Sequence, residues 1–185
     1  MRMEGKIGLV TAAGSGIGRA GAIRFAKEGA SVGVVDIDAD AVGAVVAEIK
    51  AGGGKALAIT ADLSKDEDSR RIVHNTVSHF NGLDFVWNHV GHPGPAVVEG
   101  LDMREWNQAV DLNLRTVFIT AETALPELRA RGGGSLLFTA SSSGLAGSIF
   151  SPVYSMAKFG VVGLVKAMAK RYAKENIRIN AVCPG

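Results

Sequence analysis

Six short apolar runs, rich in Val, Ile, Leu or Phe, alternate along the chain with longer stretches of helical periodicity. They cover residues 6–11, 31–36, 56–61, 83–88, 135–140 and 177–182. Because each run is nearly all apolar rather than alternating, it suits a strand that is buried on both faces. Repeated strand–helix units of this kind predict an α/β fold, in which helices cover both faces of a doubly wound parallel sheet.

Three later helices carry start signals of their own. A cap residue with an acid three positions on satisfies two backbone donors reciprocally, and Ser before Pro is typical of an N-cap and first helical residue. The signals are Ser64 with Glu67, Asp102 with Glu105, and Ser151 with Pro152. They predict helices over residues 65–80, 103–130 and 152–175. Gly29 and the glycine triplets 52–54 and 132–134 are predicted to end the preceding helices.

Composition excludes several classes of protein. The 185 residues are 47% hydrophobic, which is typical of one globular domain rather than a disordered chain. A formal net charge of +2, without a basic cluster, predicts neither nucleic-acid nor anionic-membrane binding. No run reaches the ~18 apolar residues of a membrane span. Cys183 is the only cysteine and cannot form an internal disulfide, so we expect a reducing, cytoplasmic location.

A glycine-rich segment, Thr11-Ala12-Ala13-Gly14-Ser15-Gly16-Ile17-Gly18, lies between the first strand and the first helix. Glycines at this point let the backbone approach a pyrophosphate, and the helix N-terminus directs its unpaired N–H groups at it. We therefore predict a dinucleotide site here. Its predicted cofactor-binding residues are Gly14, Ser15, Gly16, Ile17 and Gly18.

Asp36 ends the second strand, where an acid would accept the ribose hydroxyls of the adenosine. A carboxylate there would repel a 2′-phosphate, and the next residue is Ile37 rather than an arginine that would bind one. The glycine loop also lacks basic residues. NAD is therefore predicted over NADP.

Tyr154 and Lys158 are four residues apart and so lie on one face of the predicted last helix. A free phenol has a pKa of about 10 and is a poor base at neutral pH, but a nearby cation favours the phenolate. The pair therefore suits general acid–base chemistry, although such a spacing also arises by chance on a solvated helix face.

These features resemble the short-chain dehydrogenase/reductase family, in its typical single-domain branch, from Lys6 to Gly185. The glycine loop matches at Thr11, Gly16 and Gly18. Further matches are Asp62-Leu63, Asn88-His89-Val90-Gly91, Asn113, Ser141 thirteen residues before Tyr154, and residues 179–185. The resemblance implies a Rossmann-like, three-layer αβα domain over residues 1–185, with strand order 3-2-1-4-5-6.

The resemblance also implies roles for these residues. Tyr154 would act as acid or base, Lys158 would bind the nicotinamide ribose, and Asn113 would hold a water that relays protons. Ser141 would donate to the substrate oxygen, with Ser142 and Ser143 as rivals for that role. Cofactor contacts would further include Asp62, Leu63, Asn88, Val90, Tyr154, Lys158, Pro184 and Gly185.

Three residues depart from the family pattern. Ala12 replaces a glycine, so we expect its backbone to avoid positive φ. His89 and Val90 replace Asn and Ala beside the cofactor. We interpret His89 and His92 as polar surface residues, with a substrate role as the alternative, and no metal site is predicted.

The expected activity is NAD-dependent oxidation of a secondary alcohol, or reduction of the ketone. Alternatives are an NADP-dependent 3-oxoacyl thioester reductase and a catalytically silent nucleotide-binding regulatory protein. A homodimer or homotetramer is expected through the surplus apolar faces of helices 103–130 and 152–175. The resemblance implies a seventh strand and a substrate lobe after residue 182. We therefore expect Gly185 to mark a truncation or the last traceable point, and a protein truly ending there to be unstable or inactive.

Overall fold

The computed structural model describes residues 1–185 and contains one six-stranded parallel sheet. The strands are β1 (Ile7–Thr11), β2 (Ser31–Asp36), β3 (Lys55–Thr60), β4 (Phe85–Asn88), β5 (Gly134–Thr139) and β6 (Ile177–Val182). Their order is β3-β2-β1-β4-β5-β6, and every neighbouring pair is parallel. The predicted doubly wound fold is confirmed, with strand boundaries shifted by no more than two residues.

Six α-helices connect the strands. They are α1 (Gly16–Lys27), α2 (Ala39–Ala51), α3 (Asp66–Phe80), α4 (Met103–Val110), α5 (Thr116–Ala130) and α6 (Pro152–Tyr172). The single helix predicted over residues 103–130 is interrupted, because a π-helical turn, Asp111–Arg115, separates α4 from α5. The helix predicted over 152–175 ends as a 3₁₀ turn, Ala173–Glu175. None of the helices is both long and apolar enough to cross a membrane.

Each face of the sheet carries its own hydrophobic core. Leu9 belongs to a cluster of 22 buried residues that includes side chains of α3, α5 and α6. Its neighbour Val10 belongs to a separate cluster of 14, formed with α1 and α2. Adjacent residues of a strand point to opposite faces, so the two clusters are the inner layers of a three-layer αβα structure.

The helix-start signals are confirmed in two of three cases. The Asp102 carboxylate accepts from Arg104 N, although Glu105 makes no return bond to Asp102 N, and the Ser151 hydroxyl accepts from Tyr154 N. The prediction for Ser64 is wrong, because Lys65 is the N-cap of α3 and makes no side-chain cap bond. The Ser64 hydroxyl instead donates to Asp62 Oδ1 at 2.7 Å.

The predicted helix-ending glycines are also confirmed. Gly29, Gly53 and Gly132 follow α1, α2 and α5, and all three have positive φ, between 79° and 99°. Such a conformation costs a glycine little, and it turns the chain from the end of each helix towards the next strand.

Candidate active site

The glycine loop and the end of β2 are joined directly. Gly14 N donates to Asp36 Oδ2 at 2.9 Å, and the other Asp36 oxygen accepts from Ile37 N at 2.8 Å. Ser15 is the N-cap of α1 but makes no side-chain cap bond. The N–H groups of the first turn of α1, at Gly16, Ile17 and Gly18, therefore remain able to bind an anion. The predicted dinucleotide-binding residues are thus brought together at the carboxyl ends of β1 and β2.

The expectation that Ala12 avoids positive φ is wrong, because its φ is +50°. This conformation lays the Ala12 carbonyl against Gly18 of α1, so closely that a Cβ at position 18 would collide with the carbonyl oxygen. The adjoining Ala13 N donates to Val35 O at 2.9 Å. Packing against Gly18 and pairing with β2 thus hold a left-handed conformation that alanine adopts only at some cost.

The remaining predicted cofactor residues follow β3, β4 and β6. Asp62 and Leu63 come after β3, where the Ser64 hydroxyl, aided by Lys65, holds the pKa of Asp62 below its usual value. After β4, His89 N and Val90 N both donate to Thr11 Oγ1, at 2.8 and 3.0 Å.

The last three predicted cofactor residues are Asn88, Pro184 and Gly185. Asn88 is buried, and its Nδ2 donates to Thr120 while its Oδ1 has no partner. Pro184 O accepts from Ser142 N at 2.8 Å, which places the chain end beside the serines after β5. Gly185 lies exposed next to it.

A cavity of about 510 Å³ opens where β4 and β5 end. Its walls include Tyr154 and Lys158 from α6, and His89, His92 and Ser143 from the loops after the strands. A second cavity, of about 500 Å³, lies at the opposite end of the sheet, near Asp84 and Arg131. Open α/β sheets bind their ligands outside the carboxyl ends of the strands, so the first cavity is the candidate active site.

Lys158 is buried in this cavity beside Tyr154. The residue is 2% exposed, its Nζ lies 5.4 Å from the centroid of the Tyr154 ring, and this Nζ donates to Thr139 O at 2.9 Å. The predicted approach of the two side chains is therefore present. No carboxylate forms an ion pair with Lys158, and burial lowers the pKa of its ammonium from 10.5 to about 8.

The lowered pKa predicts a specific dependence of stability on pH. Below about pH 8 both the folded and the unfolded chain hold the Lys158 proton, so folding carries the full cost of burying the charge. Between about pH 8 and 10.5 only the unfolded chain holds it, so stability rises with pH. From about pH 7.5 to about pH 10, the free energy of unfolding of the wild type should rise by on the order of 2 kcal/mol more than that of Lys158→Met. Urea unfolding of both proteins at about pH 7.5 and about pH 10 measures this, and parallel changes would contradict it.

Asn113 lies in the π-helical turn and is fully buried. Its Oδ1 accepts from His92 N at 3.1 Å, while its Nδ2 donates to His92 O at 2.7 Å and to Ala109 O at 2.8 Å. Both amide hydrogens are therefore used, and only Oδ1 has a lone pair left. A Cβ at Gly91 would lie 3.0 Å from that oxygen and 3.4 Å from Lys158 Nζ, so both atoms border one point beside Gly91.

The three candidate serines occupy different positions. Ser141 caps a short 3₁₀ turn, Ser142–Gly144, and its hydroxyl accepts from Ser143 N at 3.1 Å. Ser143 itself lines the cavity, whereas Ser142 is exposed. A hydroxyl that accepts one bond still has its own proton to donate, so Ser141 keeps a free donor, although it is not among the residues that line the cavity.

Two features of the cavity were not predicted. His89 and His92 are half-buried in its wall rather than surface residues. Burial, together with the charge of Lys158, lowers the pKa of His89. Thr139 links the groups, because its hydroxyl bonds to His89 Nδ1 at 2.8 Å and accepts from Trp87 Nε1 at 2.9 Å, while its carbonyl holds Lys158. The only indication of this role of Thr139 in the sequence is that a polar residue ends β5.

Comparisons with known proteins identify the family of the chain. A family model described as short chain dehydrogenase matches residues 6–185. Cyclohexanol dehydrogenase of Acinetobacter sp. (strain SE19) is 42% identical over 185 residues, 100% of this chain and 74% of that protein. A 3-oxoacyl-acyl-carrier-protein reductase of Thermotoga maritima is 32% identical, over 100% of this chain and 75% of that protein.

A solved structure shows the same arrangement of the chain. It is that of a 7α-hydroxysteroid dehydrogenase complexed with NADH and 7-oxo glycochenodeoxycholic acid. The two structures superpose with a TM-score of 0.95 at 34% identity, over 100% of this chain and 72% of that one.

Proposed function

The chain belongs to the short-chain dehydrogenase family, whose members act on CH–OH groups, and on that premise we propose that it transfers hydride between NAD(H) and a secondary alcohol or ketone. The observation that carries this proposal is the buried Lys158 ammonium beside the Tyr154 ring, in a cavity at the carboxyl ends of the strands. A buried cation next to a phenol has a clear use in acid–base chemistry.

The residues around the glycine loop fit a dinucleotide. The absence of a side chain at Gly18 lets the Ala12 carbonyl and the start of α1 lie in contact, which forms the cradle that a pyrophosphate needs. We assign Gly14, Ser15, Gly16, Ile17 and Gly18 to the phosphates. Asp36 and Ile37 would hold the adenosine ribose, and Asp62 and Leu63 the adenine. Asn88, Val90, Lys158, Pro184 and Gly185 would hold the nicotinamide half.

A bound nicotinamide would accept or supply the hydride. The protein's own part is the movement of a proton and the stabilisation of charge. Tyr154 takes the proton of the alcohol, or returns it to the ketone, and the Lys158 ammonium favours the phenolate form. Ser141, with Ser143 as the alternative, donates to the oxygen on which negative charge develops. A water shared by Asn113 Oδ1 and Lys158 Nζ, beside Gly91, would pass the proton onwards.

The direct test is the change in NADH absorbance with the full-length protein, NAD and a panel of secondary alcohols that starts with cyclohexanol. Cyclohexanol comes first because the relative that shares 42% of the sequence is named for it. Turnover supports the proposal. Nucleotide binding without turnover on any member of the panel would instead favour a regulatory protein.

The preference for NAD predicts the effect of Asp36→Asn. Asparagine retains an oxygen for Gly14 N but loses the charge that would repel a 2′-phosphate. The ratio of kcat/KM for NADH to that for NADPH should fall by about tenfold, which corresponds to a charge-assisted hydrogen bond. The matched control is Asp38→Asn, because Asp38 caps α2 and asparagine caps a helix equally well. An unchanged ratio in Asp36→Asn would contradict the role of Asp36 in cofactor choice, and a clear preference of the wild type for NADPH would favour the thioester reductase.

We also propose a homodimer or homotetramer through residues 103–130 and 152–175. Apolar side chains on the outer faces of α5 and α6 are exposed, with Phe118 at 56% and both Met156 and Phe159 at 46%. Exposed apolar groups on two neighbouring helices are typical of a protein interface.

Phe118→Asp should therefore dissociate the assembly, because it places a charge in that interface. Light scattering after size-exclusion chromatography measures the mass, which should fall to that of one chain. Ala44→Asp on α2 is the control and should leave the mass unchanged, since Ala44 lies exposed on a helix of the other layer. Equal masses for wild type and both variants would refute the proposed interface.

Residues 1–185 are proposed as one NAD(P)-binding domain, since a single sheet runs through them.

We also propose a cytoplasmic location. The single cysteine, Cys183, supports it, because disulfides are rare in reducing compartments.

A further inference from the structure

His92 lines the candidate active site, and one of its ring nitrogens has a fixed role. Its Nδ1 accepts from Gly94 N at 3.2 Å. A backbone N–H can only donate, so Nδ1 carries no proton and the neutral ring carries its proton on Nε2. The chain supplies no acceptor to that Nε2–H. His92, which lines the cavity that contains Tyr154 and Lys158, therefore has an unused ring donor.

The backbone of His92 is held in place as firmly as its ring. The N–H of His92 donates to Asn113 Oδ1 at 3.1 Å, and the carbonyl of His92 accepts from Asn113 Nδ2 at 2.7 Å. Asn113 belongs to the π-helical turn. Asn113 is fully buried and also bonds Ala109 O, so its amide cannot turn without losing bonds. A donor held by its own backbone and ring contacts needs little reordering when it binds a ligand.

We propose that His92 is a specificity-determining residue whose Nε2–H donates to a second oxygen of the substrate, near the reacting carbon. The preferred substrates are then alcohols or ketones that carry a further hydroxyl, carbonyl or ether oxygen. This inference rests on the proposed function of the same cavity. A substrate without the second oxygen leaves the donor unpaired on binding, and a buried unpaired donor is costly.

Two substitutions separate the two nitrogens of the ring. In His92→Asn, the side-chain oxygen can still accept from Gly94 N, because asparagine commonly bonds the backbone N–H two residues further on. The asparagine side chain is too short to reach the position of Nε2. In His92→Gln, the amide nitrogen reaches about as far as Nε2, and the acceptor for Gly94 N is lost. The first variant keeps the loop contact and the second keeps the donor.

The experiment measures kcat/KM of the full chain with NAD, for cyclohexanol and for trans-cyclohexane-1,2-diol. The ratio of kcat/KM for the diol to kcat/KM for cyclohexanol should fall by about tenfold in His92→Asn, because one hydrogen bond is lost. In His92→Gln this ratio should stay near the wild-type value. Thermal unfolding midpoints show that each variant folds.

Two results would overturn the inference. One is the same ratio in all three proteins, and the other is a ratio that falls only in His92→Gln, which would assign the effect to the Gly94 contact. In both cases turnover of cyclohexanol by the wild type leaves the proposed function intact. A folded wild type that oxidises neither alcohol overturns the proposed function, and the inference with it.

Discussion

Tyr154→Phe is expected to lower kcat by about 10²- to 10⁴-fold, the usual contribution of a positioned acid or base. The substitution removes only the phenol oxygen, which makes no hydrogen bond within the chain. It keeps the ring that Lys158 approaches to 5.4 Å, so the cation–π contact and the packing of α6 are retained. The loss should therefore appear in kcat, with little change in the affinity for NADH. Steady-state kinetics and NADH titration measure the two quantities.

The chain provides a matched control, because Tyr172 is its only other tyrosine. Tyr172 ends α6 and stacks with Arg171, away from the candidate active site. Tyr172→Phe should have the kcat of the wild type. A Tyr154→Phe protein that retained a third or more of the wild-type kcat would exclude Tyr154 as the acid–base group, whatever the substrate.

The sheet could be predicted from the sequence because burial on both faces leaves a simple pattern. Val32, Val34 and Val35 are fully buried in β2, so no polar residue interrupts that run. Tyr154 and Lys158 could be predicted to lie together for a similar reason, since helical spacing alone brings them to one face. Both predictions depend on local periodicity, which a sequence shows directly.

The missed features depend on contacts between distant segments. The π-helical turn that aims Asn113 at His92 has no signature of its own, because residues 103–130 read as one helix. The positive φ of Ala12 arises from packing against Gly18 and β2, against the intrinsic preference of alanine. Likewise the half-buried ring of His89 is hydrogen-bonded to the hydroxyl of Thr139, fifty residues further along the chain. Local propensity describes none of these contacts.

The second large effect is expected from Gly18→Ala. Gly18 is buried in the first turn of α1, and a Cβ there would collide with the Ala12 carbonyl oxygen. The obstacle is backbone, so it cannot rotate away, and Ala12 already occupies the left-handed region. The loop must move off α1, which should lower the free energy of unfolding by about 3 kcal/mol. Displacing the N–H groups of the phosphate cradle should also raise the Kd for NADH by about tenfold or more.

Gly43→Ala isolates the steric effect from the intrinsic preference of helices for alanine. Gly43 is exposed within α2, and a Cβ there would meet nothing within 4 Å. This control should gain about 0.5–1 kcal/mol in stability and bind NADH as the wild type does. Urea unfolding and fluorescence titration with NADH compare the three proteins. If Gly18→Ala bound NADH with wild-type affinity, the contact between Ala12 and α1 would have no part in holding the dinucleotide.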